Sequence, residues 1–479
     1  MIHARQFYWL AAYALLGCFA PLIAVSQHAP PNIVFMLSDD QAWNGLSVPM
    51  HPDLDGSFNA QYHTPHAQCL ADQGIRFSAA YAPAPVCAPT RISLMTGRNP
   101  AALHWTKAGP SLRASANPKL LPPQNIRTIA DDLTTIGELL QQAGYTTAHY
   151  GKWHLDGGGP GNHGFDDSDG NLGNEASSQY RDPNPVDLFG MAERAESFMK
   201  QARDKGQPFF IQLSWLALHS PDNALKSSIA KYENAGLGRE RAVQTAALTH
   251  DLDTAVGRVM DAVDRLGLGD NTYVVFMSDN GGMGGRPSGH RRRQADDIPP
   301  TITGGKGSLW EGGIRVPLIV RGPGIEPGSW SHTRVVGYDL FPTFLEWAGR
   351  PDLADTTSDP IEGGSLAALM IGKASKVDRP RDELVFHFPH YQTDDGPHSA
   401  IYLDRYKLIR FDLSEKTALF DIDADPLEQH DLADRKRSVV RKLERHLDDY
   451  LDDVEAQRVS PNPQYDPSQP TSSGQRKRR

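Results

Sequence analysis

The hydrophobic positions of this chain fall into short unbroken runs, and each run stops at a polar cluster. Residues 32–37 (N-I-V-F-M-L) give way to Ser38-Asp39-Asp40, and 146–150 to Gly151-Lys152-Trp153-His154. The run over 209–218 ends at His219-Ser220-Pro221, and that over 272–277 at Ser278-Asp279-Asn280-Gly281-Gly282. A further run, 316–320, follows the glycine-rich stretch that carries Lys306. Unalternating runs of this length suit strands covered on both faces of a parallel sheet. Between them, 128–143, 186–205 and 239–266 keep helical spacing, the first stopping at Gly144. Strand–helix alternation predicts an α/β fold built on a large mixed, mainly parallel sheet flanked by helices. Ligands of such sheets bind beyond the carboxyl ends of the strands, where four of these runs deliver polar or charged side chains.

Beyond Arg381 the texture changes. Residues 384–388, 400–403, 407–411 and 418–420 read as short strands joined by polar turns, and 439–454 as a closing amphipathic helix. The pattern predicts a catalytic domain over 27–380 and a smaller C-terminal antiparallel-sheet subdomain over 381–456 packed against it. The Pro/Ser/Gln-rich remainder, 457–479, ends in Arg476-Lys477-Arg478-Arg479 and reads as a disordered tail.

At the other end, Arg5 precedes an apolar stretch over 7–25 that Pro21 interrupts, and Ala24-Val25-Ser26 offers a small-residue cleavage site. Residues 1–26 therefore read as the signal peptide of an exported chain, periplasmic or secreted, with no stable membrane span after processing. Leu15-Leu16-Gly17-Cys18 resembles a lipobox, so lipoprotein anchoring through Cys18 stays open. The 479 residues, 39% hydrophobic and 22% charged, are ample for a large core. A formal net charge of −10 argues against nucleic acid as the main partner. Of three cysteines, Cys18 leaves with the signal. Composition alone would pair Cys69 with Cys87 in an oxidising compartment, although one bridge adds little to a core of this size.

The strand ends narrow the chemistry. Asp39, Asp40, Asp279 and Asn280 together bring hard oxygen donors from two strands to one point, a set that suits Ca²⁺ or Mg²⁺ and leans towards Ca²⁺ in an exported protein. Taken singly, such residues cap turns. The specific signal is Cys87-Ala88-Pro89-Thr90-Arg91 followed by Leu94-Met95-Thr96-Gly97-Arg98. Pro89 is read as fixing a turn, with Arg91 beyond it able to neutralise charge near Cys87.

Cys-x-Pro-x-Arg with a following Thr-Gly-Arg resembles the type I, formylglycine-dependent sulfatases, which share the alkaline-phosphatase-like fold. The resemblance runs through nearly the whole mature chain: Asp39-Asp40 and Asp279-Asn280 match metal motifs, and Gly151-Lys152-Trp153-His154-Leu155 a sulfate-binding and catalytic stretch. His219 and Lys306, the latter in Gly304-Gly305-Lys306-Gly307-Ser308, fall where that family has a histidine and a second sulfate-binding lysine. Tyr338-Asp339-Leu340-Phe341-Pro342-Thr343 and the stretch from Leu419 to Pro426 look familiar as structural motifs. Thr90 departs from the commoner serine but keeps the hydroxyl. The resemblance implies that a sulfatase-maturing enzyme converts Cys87 to 3-oxoalanine (formylglycine), whose hydrate attacks sulfur beside the cation, Cys87 itself counting among the metal-site residues. It further implies Lys152 and Lys306 on the sulfate oxygens, Arg91 orienting the nucleophile, His154 as base and His219 as acid to the leaving alcohol.

A sulfated glycan is the expected substrate, with simple aryl sulfates also open. The 282–305 stretch, with His290-Arg291-Arg292-Arg293, reads either as a binder of further anionic groups or as a solvated loop. His387-Phe388-Pro389-His390-Tyr391 reads as pocket rim or as aromatic core. A phosphonate monoester hydrolase or phosphatase of the same fold, or a non-catalytic glycan-binding relative, are the alternatives in kind.

Overall fold

The structure is a computed structural model that describes residues 29–109, 117–170, 182–220, 223–283 and 302–469. The signal segment with Cys18, the 290–293 basic run and the terminal arginines lie outside the described residues.

The main sheet contains β1 (Asn32–Ser38), β2 (Ile75–Phe77), β3 (Thr146–Gly151), β4 (Asp167–Ser168), β5 (Phe209–Ser214), β6 (Thr272–Ser278), β7 (Leu318–Arg321) and β8 (Ser329–Ser331). Their order across the sheet is β8-β2-β7-β6-β1-β5-β3-β4. β1 is wholly buried and pairs in parallel with β5, Ile33 opposite Phe210, and with β6, Asn32 opposite Thr272. Ile33, Phe35 and Leu37 pack into one apolar cluster and Val34 and Met36 into another. Successive side chains leave opposite faces of a strand, so a strand buried on both faces has no reason to alternate. The run at 316–320 differs from its neighbours: β7 lies antiparallel to both β6 and β2, which makes the sheet mixed.

Four helices matter for the site and its support: α1 (Cys87–Thr96), α2 (Ile136–Gln142), α3 (Leu188–Lys205) and α4 (Glu240–Arg265). The helix expected over 128–143 begins only at Ile136. The reason is local: Thr135 accepts from the Glu138 backbone while its own N–H donates to the Glu138 carboxylate at 2.7 Å, a capping box that starts the helix there.

A single helical turn, α5 (Glu311–Ile314), precedes β7, and from Leu384 the chain forms an antiparallel meander of β9 (Leu384–Phe388), β10 (His398–Leu403), β11 (Tyr406–Phe411) and β12 (Lys416–Asp421). α6 (Arg437–Asp453) covers it through Leu443, Leu447 and Leu451. The tail expected to be disordered from 457 is held over its described part. Ser460–Pro461 pairs with Leu120–Leu121, the Asn462 N–H donates to the Lys119 carbonyl at 3.0 Å, and Asn117 donates to the Asp466 carbonyl at 2.7 Å. Polar composition hid this because the attachment uses hydrogen bonds to backbone groups.

The two sheets are joined by buried charge. Lys407 on β11 donates to Glu311 of α5 at 2.9 Å and to Glu428 at 2.6 Å, and all three side chains are sealed from solvent. Arg315 adds a second cation to Glu311 at 3.2 Å, and Tyr81 and Tyr402 donate their hydroxyls to its carboxylate. Removing one partner of such a group strands the others without water. Lys407→Met is expected to lower unfolding free energy by about 3–5 kcal/mol, read as a fall in the denaturant midpoint; an unchanged midpoint would show that the subdomains do not depend on this contact.

Buried histidines add an acid limit. Burial pushes His149 and His390 down to about 3 and His387 to about 4. The folded protein thus excludes protons that an unfolded imidazole takes up near pH 6.5. The stability from each is fully present above that pH and is lost as pH falls towards the folded value, on the order of 1–2 kcal/mol per histidine by pH 5. Thermal unfolding between pH 7 and 5 should therefore show a falling midpoint, and His387→Gln should flatten the slope.

Candidate active site

The candidate residues arrive from the ends of parallel strands, from the first two turns of α1 and, for Lys306, from a loop. Asp39 and Asp40 follow β1, and Asp279 and Asn280 follow β6. The Asp39 N–H donates to the Ala217 carbonyl at 2.8 Å and the Leu218 N–H donates to the Asp39 carbonyl, which sets His219 beside the end of β1. Gly151, at φ +89°, brings Lys152 over β5: a Cβ there would lie 2.2 Å from the Ser214 carbonyl oxygen. Gly281 does the same for Lys306. A Cβ would lie 1.9 Å from the Gly312 oxygen, and this close approach lets the Lys306 N–H donate to the Gly282 carbonyl at 3.1 Å.

Pro89 does not make a turn, contrary to the sequence expectation. Cys87 is the first residue of α1 and Pro89 the third, where the missing N–H has no intrahelical partner to lose. Arg91, one helical turn further on, therefore projects from the same face as Cys87. All ten residues of α1 are buried, and Gly97 at φ +69° closes it.

The side chains meet closely. Oxygens of Asp39, Asp40 and Asp279 and the Cys87 sulfur all lie within 4.8 Å of one another, and His219 is equally close to Asp39 and Cys87. The Cys87 thiol is 3.6 Å from Asp39 Oδ1, and Lys306 Nζ is 3.4 Å from the sulfur. Arg91 donates to Asp279 Oδ2 at 2.7 Å, to Asp39 Oδ2 at 3.4 Å and to the Lys152 carbonyl at 2.6 Å. Lys152 Nζ donates to Asp39, and Lys306 Nζ contacts Asp40 at 2.7 Å. Asn280 Nδ2 donates to Asp40 Oδ1 at 2.8 Å, whereas its Oδ1 is buried without a hydrogen-bond partner.

Electrostatics split the carboxylates. Burial alone would raise Asp39, but Lys152, Arg91 and Lys306 hold it well below the usual carboxylate range. Asp40 is pushed up to about 6 by burial and by Asp39, and Asp279 is raised by the same two causes. Burial, then Asp39, pushes the Cys87 thiol up to about 12. Cys69 and Cys87 are both free, so no bridge joins them. Cys69 is exposed, on the outward side of the short helix Pro65–Asp72.

His154 stands apart from the carboxylate cluster. It is mostly buried, its backbone is left-handed at φ +62°, and Nδ1 has no partner. Burial, then Lys152, pushes it down to about 3, so it is neutral. His219 directs Nδ1 at the Ser220 carbonyl, 2.9 Å away. A cleft of about 260 Å³ opens over Asp40, His219 and Lys306, and Tyr62, Arg241, Thr245 and Gln392 also line it. The sequence reading missed these four, since they sit on unrelated segments and no motif links them. Of the aromatic stretch at the end of β9, Phe388 and His390 are fully buried, which answers for core packing at Phe388.

The donor set is hard oxygen, and the orphaned Asn280 carbonyl is the kind of group a cation satisfies. These residues fit a divalent ion of the Ca²⁺ or Mg²⁺ class.

This fold and this cluster are those of a sulfate ester hydrolase, and comparison with known proteins agrees. The Sulfatase family profile matches residues 31–350, and the profile described as N-sulphoglucosamine sulphohydrolase, C-terminal, matches 305–457. The chain is 30% identical to N-acetylgalactosamine-6-sulfatase of Mus musculus over 78% of its own length and 70% of that protein. It is 29% identical to arylsulfatase A of Homo sapiens over 87% of its length and 81% of that protein. The crystal structure of Ps i-CgsB in complex with k-i-k-neocarrahexaose superposes with a TM-score of 0.70 at 24% identity, covering 88% of this chain and 93% of that one. The chain belongs to the sulfatase family and is a sulfatase. Members of the family generally use formylglycine and a divalent cation, and the Asp–Cys group here is able to hold a metal ion. Among the described residues no helix is long and apolar enough to cross a membrane.

Adding Ca²⁺ to chelator-treated protein is expected to raise the unfolding free energy by about 2.7 kcal/mol at a hundredfold excess over Kd, read as a higher unfolding midpoint. Asp279→Asn should abolish that shift; an Asp279→Asn protein stabilised as strongly as its parent would place the ion elsewhere.

Proposed function

We propose that this sulfatase removes sulfate from a sulfated carbohydrate, with a nucleophile made from Cys87 and a Ca²⁺ ion held by Asp39, Asp40, Asp279, Asn280 and residue 87. The observation that carries the reading is the position of Cys87: a buried residue at the start of α1, within hydrogen-bonding reach of Asp39 and Lys306 and surrounded by oxygen donors. A soft thiol is a poor match for those donors. Formylglycine at this position, with the cation, supplies the oxygen nucleophile for attack at sulfur.

Placement supports the remaining roles. Lys152 and Lys306 flank residue 87 and bind the sulfate oxygens, offsetting charge as the S–O bond breaks. Arg91 holds Asp39 and Asp279 and orients residue 87. His154, neutral and with a free Nδ1, accepts a proton from residue 87. His219 lines the cleft; its Nδ1 faces a carbonyl, which only an N–H there satisfies, so Nε2 is the nitrogen left for the leaving alcohol, and the imidazolium form is the one that passes a proton to that oxygen. The carbohydrate assignment draws on the relatives, N-acetylgalactosamine-6-sulfatase among them, and on the structural neighbour solved with a carrageenan oligosaccharide. Export to the periplasm or medium, by way of the signal at 1–26, and a sulfatase-maturing enzyme as partner complete the reading.

Cys87→Ala is expected to lower kcat for sulfate release on the order of a thousandfold or more. Mass spectrometry of the peptide containing position 87 should show loss of SH₂ and gain of oxygen. Unchanged turnover in Cys87→Ala, or higher kcat/KM on the matched aryl phosphate or phosphonate than on the aryl sulfate, would overturn the assignment.

A further inference from the structure

Among the described residues, Lys107 is a buried cation without a counter-ion. The side chain is 9% exposed, and its ammonium donates to the amide oxygen of Gln392 at 2.9 Å and lies 5.1 Å from the centre of the Phe388 ring. Among the described residues no carboxylate pairs with it, and burial alone pushes it down to about 8. A second orphan lies alongside. His390 is fully buried; its Nε2 meets Thr106 Oγ1 at 2.8 Å, its Nδ1 has no partner, and the Lys107 charge helps depress it. Burying an ammonium beside an unsatisfied imidazole nitrogen is costly unless a ligand completes the set.

The location ties this group to the reaction centre from two sides. Gln392 lines the cleft with Lys306 and His219, and its amide packs so tightly on Gly307 that a Cβ there would lie 2.6 Å from Nε2. On the other side, His154 lies beside the backbone of Ala108, the residue after Lys107. The segment 106–108 from the catalytic domain and the segment 388–392 from the C-terminal sheet thus close one wall beside the sulfate-binding lysine.

We propose that Lys107, His390 and Gln392 form a second anion subsite, which receives an additional anionic group, sulfate or uronate carboxylate, on the saccharide whose sulfate ester is cleaved. The proposal rests on the carbohydrate reading above and extends it to substrate choice. Lys107 supplies the charge, Gln392 presents it to the cleft, and His390 Nδ1 adds a hydrogen bond. A substrate bearing one sulfate and no second anion leaves this cation buried and unpaired, so the wall selects against it.

The test measures binding and turnover separately. Saccharide pairs matched except for a second sulfate, and pairs matched except for a uronate carboxylate, are titrated into Cys87→Ala protein and into the same protein carrying Lys107→Met. The parent is expected to favour one second-anion series, which identifies the group, and Lys107→Met should reduce that preference roughly 10–100-fold. Gln392→Glu, which gives Lys107 an internal partner, should reduce it likewise without removing a side chain, so a poorly folding Lys107→Met protein leaves the test intact. A parent with no preference in either series, or a preference that survives both substitutions, overturns the subsite. Sulfate release by the unmutated enzyme from the same pairs reports independently on the carbohydrate reading, which fails if only non-carbohydrate esters are cleaved.

Discussion

Three buried carboxylates cannot share a few ångströms of protein interior unless cations are buried with them. Asp39, Asp40 and Asp279 are in that position, and Arg91, Lys152 and Lys306 are the answer. Arg91 bears the largest structural share. Its planar donors reach a carboxylate after β1, a carboxylate after β6 and a carbonyl after β3, so one guanidinium ties three strand ends to α1. The parallel order of β6, β1, β5 and β3 is what brings those ends to one edge. The tight glycines at 151 and 281 let both lysines reach the same point.

The charge count of this group has a chemical consequence. Three carboxylates against three cations are neutral together. A divalent cation adds two positive charges and a sulfate monoester adds one negative charge, which leaves the occupied centre with a positive excess. As the S–O bond breaks, negative charge grows on the sulfate and on the leaving oxygen, and that excess is already oriented towards it. The fold supplies this without a conformational search, because the cations are locked by carboxylates that belong to the sheet.

Much of this was legible along the chain, for reasons that separate one element from another. The strands were readable because burial on both faces makes unbroken apolar runs, and their ends because polar residues must appear where a strand leaves the core. α1 was not. All ten of its residues are buried, so the sequence shows no apolar stripe, and Pro89 near its start imitates a turn. The direction of β7 was invisible for a related reason: an apolar run of that length carries no sign for parallel or antiparallel pairing. The candidate residues with motifs were legible along the chain, whereas Tyr62, Arg241 and Gln392 were not, since a cleft wall is assembled from segments that only the tertiary fold makes neighbours. The described part of the tail, 457–469, was read as disordered because composition counts apolar surface and takes no account of backbone hydrogen bonds.

The C-terminal sheet is therefore better understood as part of the site than as an appendage. The loop that carries Lys306 runs directly into α5, where Glu311 meets Lys407 from β11 and Glu428 from the segment after β12. The Leu309 N–H donates to His398 of β10 at 2.9 Å, and Gln392, just beyond β9, packs on Gly307. Each of these contacts restrains the backbone within a few residues of Lys306. A lysine in the sulfate-binding role proposed for Lys306 needs a fixed Cα as much as a charge, because its four-carbon side chain has rotamer freedom to lose. The main sheet fixes Lys152 through a strand end, but Lys306 leaves from a loop with no strand of its own. The second sheet supplies the rigidity that the first cannot, and in doing so sets its own residues against the wall of the cleft.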